Sequence, residues 1–310
     1  MLISVLMCTY KEPVQYIEAS IDSILRQTYR DLELIVIVDD PDNSDVISWI
    51  QQKQQVDVRI KLYINSQNIG LVNSLNRGLT YCNGEYIARM DADDIADADR
   101  LKIQMQFLQE NKLDFIGGAY ERFREPSVYG EFFYYPCTHE KCVKRLKVEN
   151  CFAHPTWFAK KSVFQTCGGY RNIEKCEDYD FVLRAVNQGF KIGNCPNCIL
   201  KYRFHSDSIS RKGFAEQNVI AAYLAENFKK GRAVSVQEYE AYLNSKTFAE
   251  NRKKEMRISE LRLQQKTAKN PMAKIICLLK LAVMPLFWKK VWIIYIIGMA
   301  DKKERKKTEA

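Results

Sequence analysis

The stretch that most restricts what this chain can fold into is LELIVIV, Leu32 to Val38, which is apolar, largely β-branched, and stops at Asp39 and Asp40. A run this short and continuous reads as a strand covered on both faces, as in parallel sheets flanked by helices. The neighbouring sequence repeats the pattern. ISVLM (Ile3–Met7) is another apolar run, ending at CTYKEP, and between the two YIEASIDSILRQ sets Ile17, Ile21, Ile24 and Leu25 on one helical face. A helix through DVISWIQQKQQ, a strand VRIKLYIN, a loop SQNIG, a helix LVNSLNRGLTYC, a turn NGE and a strand YIARM complete the series. Strand and helix alternate up to residue 100, which predicts an α/β fold with a Rossmann-like, mostly parallel sheet. Ligands of such sheets bind beyond the carboxyl ends of the strands.

Two acidic clusters fall at those ends, Asp39 with Asp40 and Asp91 with Asp93 and Asp94. Their coincidence points to one acidic site. Like charges this close repel, and desolvating them costs several kcal/mol each unless a cation or hydrogen-bond donors compensate. Helix capping is the competing explanation, but one aspartate suffices for a cap.

Charge is unevenly spread. Residues 251–310 hold 16 Lys/Arg against 5 Asp/Glu, whereas residues 1–250 hold 31 against 33, so the excess of +9 sits on the tail. A body without a basic surface argues against nucleic acid as a partner. The ten cysteines are scattered, and MLISVLMCTY lacks a basic leader region, which predicts a reducing, cytoplasmic setting. The CPNC pair, Cys195 and Cys198, has no second C-x-x-C to complete a zinc site and reads as ordinary loop thiols.

Residues 101–210 are less regular and rich in aromatics. They end on CEDYDFVLRAVNQGF, where Phe181, Val182, Ala185 and Val186 form a helical stripe with Glu177 and Asp178 at its start. Capping by the macrodipole alone could explain that acidic pair. The segments SVLMCTYKE, IVIVDDPDNSD, NIGLVNSLNRGL, GEYIARMDADD, CGGY and EDYDFVLRAVNQG occur in the order and spacing of a known family. Over residues 2–210 the chain resembles the family 2 glycosyltransferases of GT-A fold, in particular those of bacterial O-antigen and capsule synthesis.

The resemblance implies site residues. Asp91 and Asp93 match the family's D-x-D, extended by Asp94; Asp93 is expected to bind Mn²⁺ or Mg²⁺ directly, and Asp91 to bind it or hold ribose or a metal-bound water. A divalent cation of this kind prefers carboxylate oxygens and leaves positions for phosphate and water. Thr9, Tyr10, Glu12, Asp39, Asp40, Asn68 and Arg89 are expected to cradle the nucleotide-sugar, although Pro41 replaces a glycine of the family's loop. Asp178 is assigned as the base that takes the acceptor's proton, supported by Glu177, which implies in-line displacement with inversion. His205 matches a recurrent histidine that ligates the metal or contacts phosphate, with a packed histidine as the alternative. His154 is open between packing and contact with the acceptor, Trp157 between stacking on a sugar and the core, and His139 reads as a surface loop residue.

From residue 212 onward the pattern is helical and charged. Ile275 to Ala300 is apolar but interrupted by Lys280, Pro285, Lys289 and Lys290, with Trp288, Trp292 and KKERKK nearby. That composition suits a segment lying in anionic headgroups better than one crossing a bilayer; a core helix pair with a solvated basic tail is the alternative. The expected organisation is a catalytic domain over 1–210 (nucleotide-sugar half 1–100, acceptor half 101–210), a helical extension over 211–270 and a membrane-interface segment over 271–310. The expected activity is metal-dependent, inverting hexosyl transfer, of the glucose or galactose type, from a UDP-sugar to a polyprenyl-diphosphate-linked saccharide at the cytoplasmic face of the inner membrane. A processive synthase or a basic docking scaffold are the rival readings.

Overall fold

The computed structural model describes residues 1–124, 127–204, 213–267 and 270–282. The chain divides into two units, residues 1–208 and 209–310.

The first unit begins with β1 (Ile3–Thr9), α1 (Val14–Leu25), β2 (Leu32–Val38), α2 (Ser44–Val56), β3 (Ile60–Ile64), α3 (Leu71–Tyr81) and β4 (Tyr86–Asp91). Every residue of β1 and β2 is buried, as their continuous apolar runs require. The four strands are parallel in the order β3-β2-β1-β4. Register pairs Thr9 with Val38 and Cys8 with Asp91, so Asp39, Thr9 and Asp91 emerge along one rim.

The sheet does not stop at residue 100. After β5 (Ile95–Ala96), α4 (Arg100–Glu110), β6 (Phe115–Arg124), β7 (Ser127–Phe133) and α5 (His139–Leu146) comes a 3-10 turn at His154–Thr156. β8 (Phe158–Lys160), α6 (Lys161–Cys167), α7 (Glu177–Asn187) and β9 (Ile192–Arg203) complete the unit. The order continues β4-β8-β6-β9-β5, with β7 paired to β6. β8 runs antiparallel to both β4 and β6, which restores the direction of β4 in β6 and β9. The β4–β8 seam is short, spanning Tyr86↔Lys160 to Ala88↔Phe158. Beneath the sheet, Ile17, Ile21, Ile50, Leu101 and Leu108 pack on Val5, Val36, Ala88 and Ile116. On the other face Phe115, Trp157, Phe164, Tyr170 and Phe181 form a chain of edge-on and tilted ring contacts at 4.8–6.3 Å.

The second unit is helical over α8 (Phe214–Lys229), α9 (Val236–Leu243), α10 (Lys246–Thr267) and α11 (Pro271–Ala282). Ser235 and Glu238 close a capping box on α9. Leu281 packs with Ile258 and Leu261 in a small core, while Met272, Ile275, Ile276, Leu278 and Leu279 of α11 are exposed. Among the described residues no helix is long and apolar enough to cross a membrane.

Candidate active site

The rim of β1, β2 and β4 gathers most of the expected residues. Asp91, Asp93 and Asp94 bring one carboxylate oxygen each to within 4.8 Å of one another. None of the three caps a helix: Asn43 caps α2 and Asp99 precedes α4. Asp91 pairs with the guanidinium of Arg89, which is almost fully buried. Asp94 is completely buried; its Oδ1 accepts from the Arg203 amide at 2.8 Å. Burial, with the Asp93 charge beside it, pushes the Asp94 carboxyl well above the usual carboxylate range. Its Oδ2 has no partner among the described residues. Three converging carboxylates, one with an orphaned buried oxygen, fit a hard divalent cation, which takes oxygen ligands.

Arg100 supports this cluster and had no visible signal in the sequence. It is fully buried, and its Nη2 donates to the Arg89 carbonyl at 2.7 Å while Nε donates to Gln104 at 3.0 Å. Burial lowers it to about 9, against the pull of Asp94.

Asp39 is held from three directions. Its Oδ1 accepts from Asn65 Nδ2 at 2.5 Å and the Ile69 amide at 2.9 Å, and its Oδ2 accepts from the Gly70 amide at 2.9 Å. It therefore pins the loop before α3, leaving little of its acceptor capacity for a nucleobase N–H. Asn68 accepts from the same Gly70 amide at 2.9 Å. Glu12 accepts from Thr9 Oγ1 at 2.6 Å and the Tyr10 amide at 2.5 Å, and burial raises its carboxyl. Tyr10 stands 42% exposed with the Lys11 ammonium 4.9 Å from its ring centre, and Asp40 is half-buried.

A second acidic group opens α7. Glu177 and Asp178 occupy its first turn, where the helix dipole favours negative charge. Asp178 Oδ1 accepts from the Tyr179 amide at 2.6 Å and Oδ2 from Asn150 Nδ2 at 2.9 Å. Burial and then the Glu177 charge raise its carboxyl to about 7, and burial raises Glu177 as well. Asp180, on the same helix, is buried and binds both Arg171 and Arg184. Arg184 Nη2 continues to the Gly169 carbonyl at 2.9 Å, so α7 is laced to the CGGY turn. Asn76 of α3 grips that turn too, donating to the Tyr170 carbonyl at 2.9 Å and accepting from its amide at 2.8 Å. Gly169 is required there: its φ is +72°, and a Cβ would strike Asn76 Oδ1.

Several expectations change. Trp157 is fully buried against Phe115 and Phe181, which excludes stacking on a sugar. His154 packs: its Nε2 lies 2.8 Å from the Tyr170 hydroxyl and its ring meets Trp157 edge-on. Burial, then Arg89, hold it well below the usual imidazole range. His139 begins α5, not a loop, and accepts from the Ile192 amide at 3.2 Å. Cys195 and Cys198 lie in β9 at a register shift, each thiol bonded locally, and burial pushes Cys195 up to about 11. His205, Trp288, Trp292 and the basic residues from Lys289 onward lie outside the described residues.

Comparison with known proteins places these features in context. Residues 4–168 match the model of the family described as glycosyl transferase family 2. Over 237 residues the chain is 35% identical to the O-antigen biosynthesis glycosyltransferase WbnJ of Escherichia coli, covering 76% of this chain and 91% of the relative. It is 28% identical to another Escherichia coli protein, the UDP-Glc:alpha-D-GlcNAc-diphosphoundecaprenol beta-1,3-glucosyltransferase WfgD, over 69% of this chain and 82% of that one. Among solved structures, S. aureus TarS with UDP-GlcNAc superposes with a TM-score of 0.60 at 17% identity, over 81% of this chain and 72% of TarS. The mannosyltransferase PcManGT of Pyrobaculum calidifontis, in complex with GDP-Man and Mn2+, gives 0.60 at 17% identity, over 97% and 86%.

Proposed function

The chain belongs to glycosyl transferase family 2 and is a glycosyltransferase of GT-A fold, and from that premise we propose inverting transfer of a hexosyl group from a UDP-sugar to a polyprenyl-diphosphate-linked saccharide, in surface polysaccharide synthesis. The observation that carries the reading is the cluster of Asp91, Asp93 and Asp94 on the rim of the parallel sheet. Asp93 and Asp91 would hold Mn²⁺ or Mg²⁺, and Asp94 brings a carboxylate oxygen to the same cluster. The bound cation would neutralise charge on the departing diphosphate. Thr9, Tyr10, Glu12, Asp40 and Asn68 line the nucleotide side, while Asp39 shapes it by fixing the Ile69–Gly70 loop. Asp178 takes the proton of the attacking hydroxyl; a carboxyl near 7 suits that role at neutral pH. Glucose or galactose is the favoured sugar, and the naming of the glucosyltransferase relative supports a UDP-glucose donor and a lipid-diphosphate acceptor.

We assign residues 1–210 to catalysis, 211–270 to a helical extension and 271–310 to a peripheral contact with the cytoplasmic face of the inner membrane. The exposed apolar side chains of α11 and the basic residues beyond it support that contact. The test is a panel of UDP-sugars and GDP-mannose with a GlcNAc-diphosphate-lipid acceptor, with and without Mn²⁺. UDP-glucose or UDP-galactose should be consumed only with metal, and NMR should show the opposite anomeric configuration in the product. Metal-independent transfer, retained configuration or a preference for GDP-mannose would each overturn part of the reading.

A further inference from the structure

We propose that Asn150 is the positioning residue that orients the reacting carboxylate of Asp178, an inference that rests on Asp178 being the base. The Tyr179 amide binds one oxygen of Asp178 from the adjacent residue and leaves the group free to pivot about that bond. Asn150, 28 residues earlier in the chain, supplies the second point by donating from Nδ2 to the other oxygen. The orientation of its own amide is fixed, because Asn150 Oδ1 accepts from the Phe152 amide at 3.0 Å, which turns the NH₂ group toward Asp178. Phe152 is buried and meets Phe115 edge-on at 5.4 Å, so the anchor is seated in the ring cluster. Two bonds hold the carboxylate and leave one lone pair on each oxygen for a substrate hydroxyl.

A neutral donor is the chemically suitable choice. An ammonium or guanidinium at this place would hold the carboxylate equally well but would strip it of its affinity for a proton. The charged groups that act on Asp178 are Glu177 from its own helix and Arg89 from β4, and the neutral titratable neighbours are Tyr170, Cys176 and Tyr179. Burial raises those neighbours above the neutral range, so none takes up or releases charge near pH 7.

Two variants of the full chain test the role. Asn150→Asp keeps the acceptor for the Phe152 amide but replaces the donor with a second carboxylate. The acid limb of its kcat/KM profile should move alkaline by about one pH unit or more, as for a carboxylate gaining a like-charged neighbour. Turnover lost at pH 7 should return as pH rises, with KM for the UDP-sugar nearly unchanged. Asn150→Ala should move the limb in the same direction by less and lower kcat about tenfold, the scale of a lost hydrogen bond to a charged group. If both variants fold, by circular dichroism, and neither limb moves, Asn150 does not position the base. Asp178→Asn is run beside them: if it keeps its turnover, the base assignment and this inference fall together. If it is inactive while the Asn150 limbs stay in place, only the role of Asn150 falls.

Discussion

The two acidic groups of the first unit meet the same difficulty and resolve it differently. On the β4 rim, Asp91, Asp93 and Asp94 gather beside two buried arginines, Arg89 and Arg100, and still leave an oxygen of Asp94 without a partner among the described residues. At the start of α7, Glu177 and Asp178 are met by the helix terminus, a backbone amide and a neutral asparagine. Positive charge next to a carboxylate favours its ionised form and burial opposes it; at Asp94 burial and the Asp93 charge outweigh the two arginines, and at Asp178 burial and the Glu177 charge outweigh Arg89 and the neutral donors. The partners that compensate each group are the basis of the roles proposed for them, a cation ligand on the rim and a proton carrier at α7.

The largest effect that tests this contrast is Asp93→Ala. Loss of a ligand for a cation contributing several kcal/mol to the transition state should lower transfer by roughly 10³-fold or more. UDP binding should lose its Mn²⁺ dependence, and circular dichroism should stay unchanged. Near-normal turnover in Mn²⁺ would erase the difference between the two groups. Asp178→Asn comes next: kcat should fall by about 10²–10⁴ with UDP-sugar binding preserved, and a loss of donor affinity at intact turnover would move Asp178 to the donor side.

Titration gives a subtler measure. As the proposed base, with its carboxyl raised to about 7, Asp178 must be deprotonated to act, so kcat/KM should fall as pH drops below 7. The same shift bears on stability. A carboxyl whose folded value is raised favours the fold when protonated, and that contribution is lost as pH rises through 7. Asp178→Asn, which cannot ionise, should therefore raise Tm at pH 8 by a few degrees, with the gain fading toward pH 4; an equal gain at both pH values would contradict the burial of this charge. The smallest effect belongs to the tail. Removing residues from 271 onward deletes none of the acidic residues, so transfer to a short soluble acceptor should stay within about twofold, while activity on anionic vesicles falls, each lost Lys or Arg being worth roughly 1 kcal/mol there. Loss of soluble activity as well would make the tail part of the catalytic fold.

How much of this was legible in the sequence follows from the range of the interactions involved. β1, β2 and β4 could be read because a strand buried on both faces is mostly apolar, and Asp91, Asp93 and Asp94 because charges at the end of such a strand demand a partner. β6 and β9 are not legible because FIGGAYERFR and IGNCPNCILKYR carry glycines, a proline and charges, and become strands through pairing with each other and with β5, β7 and β8. Asn150, Arg100 and Asp180 are ordinary polar residues until the fold brings Asp178, the Arg89 carbonyl and Arg171 to them. Trp157 was ambiguous because an aromatic in an apolar run suits either a sugar or a core; its neighbours Phe115 and Phe181 decide it.

The short β4–β8 seam has a consequence for recombination. The four parallel strands end at Asp91, the remaining strands begin afterwards, and β4 and β8 join the two sets through three register pairs. The chain crosses between them once, so a chimera that replaces the later half, to which acceptor binding is proposed, needs a single junction in the gene. That junction belongs just before Arg100, with three contacts across it kept as a matched set: Arg100 on the Arg89 carbonyl, Asn76 on the backbone of Tyr170, and Arg203 on Asp93 and Asp94. On the proposed division of the two halves, an enzyme built this way would exchange the molecule it modifies while keeping the donor it draws upon.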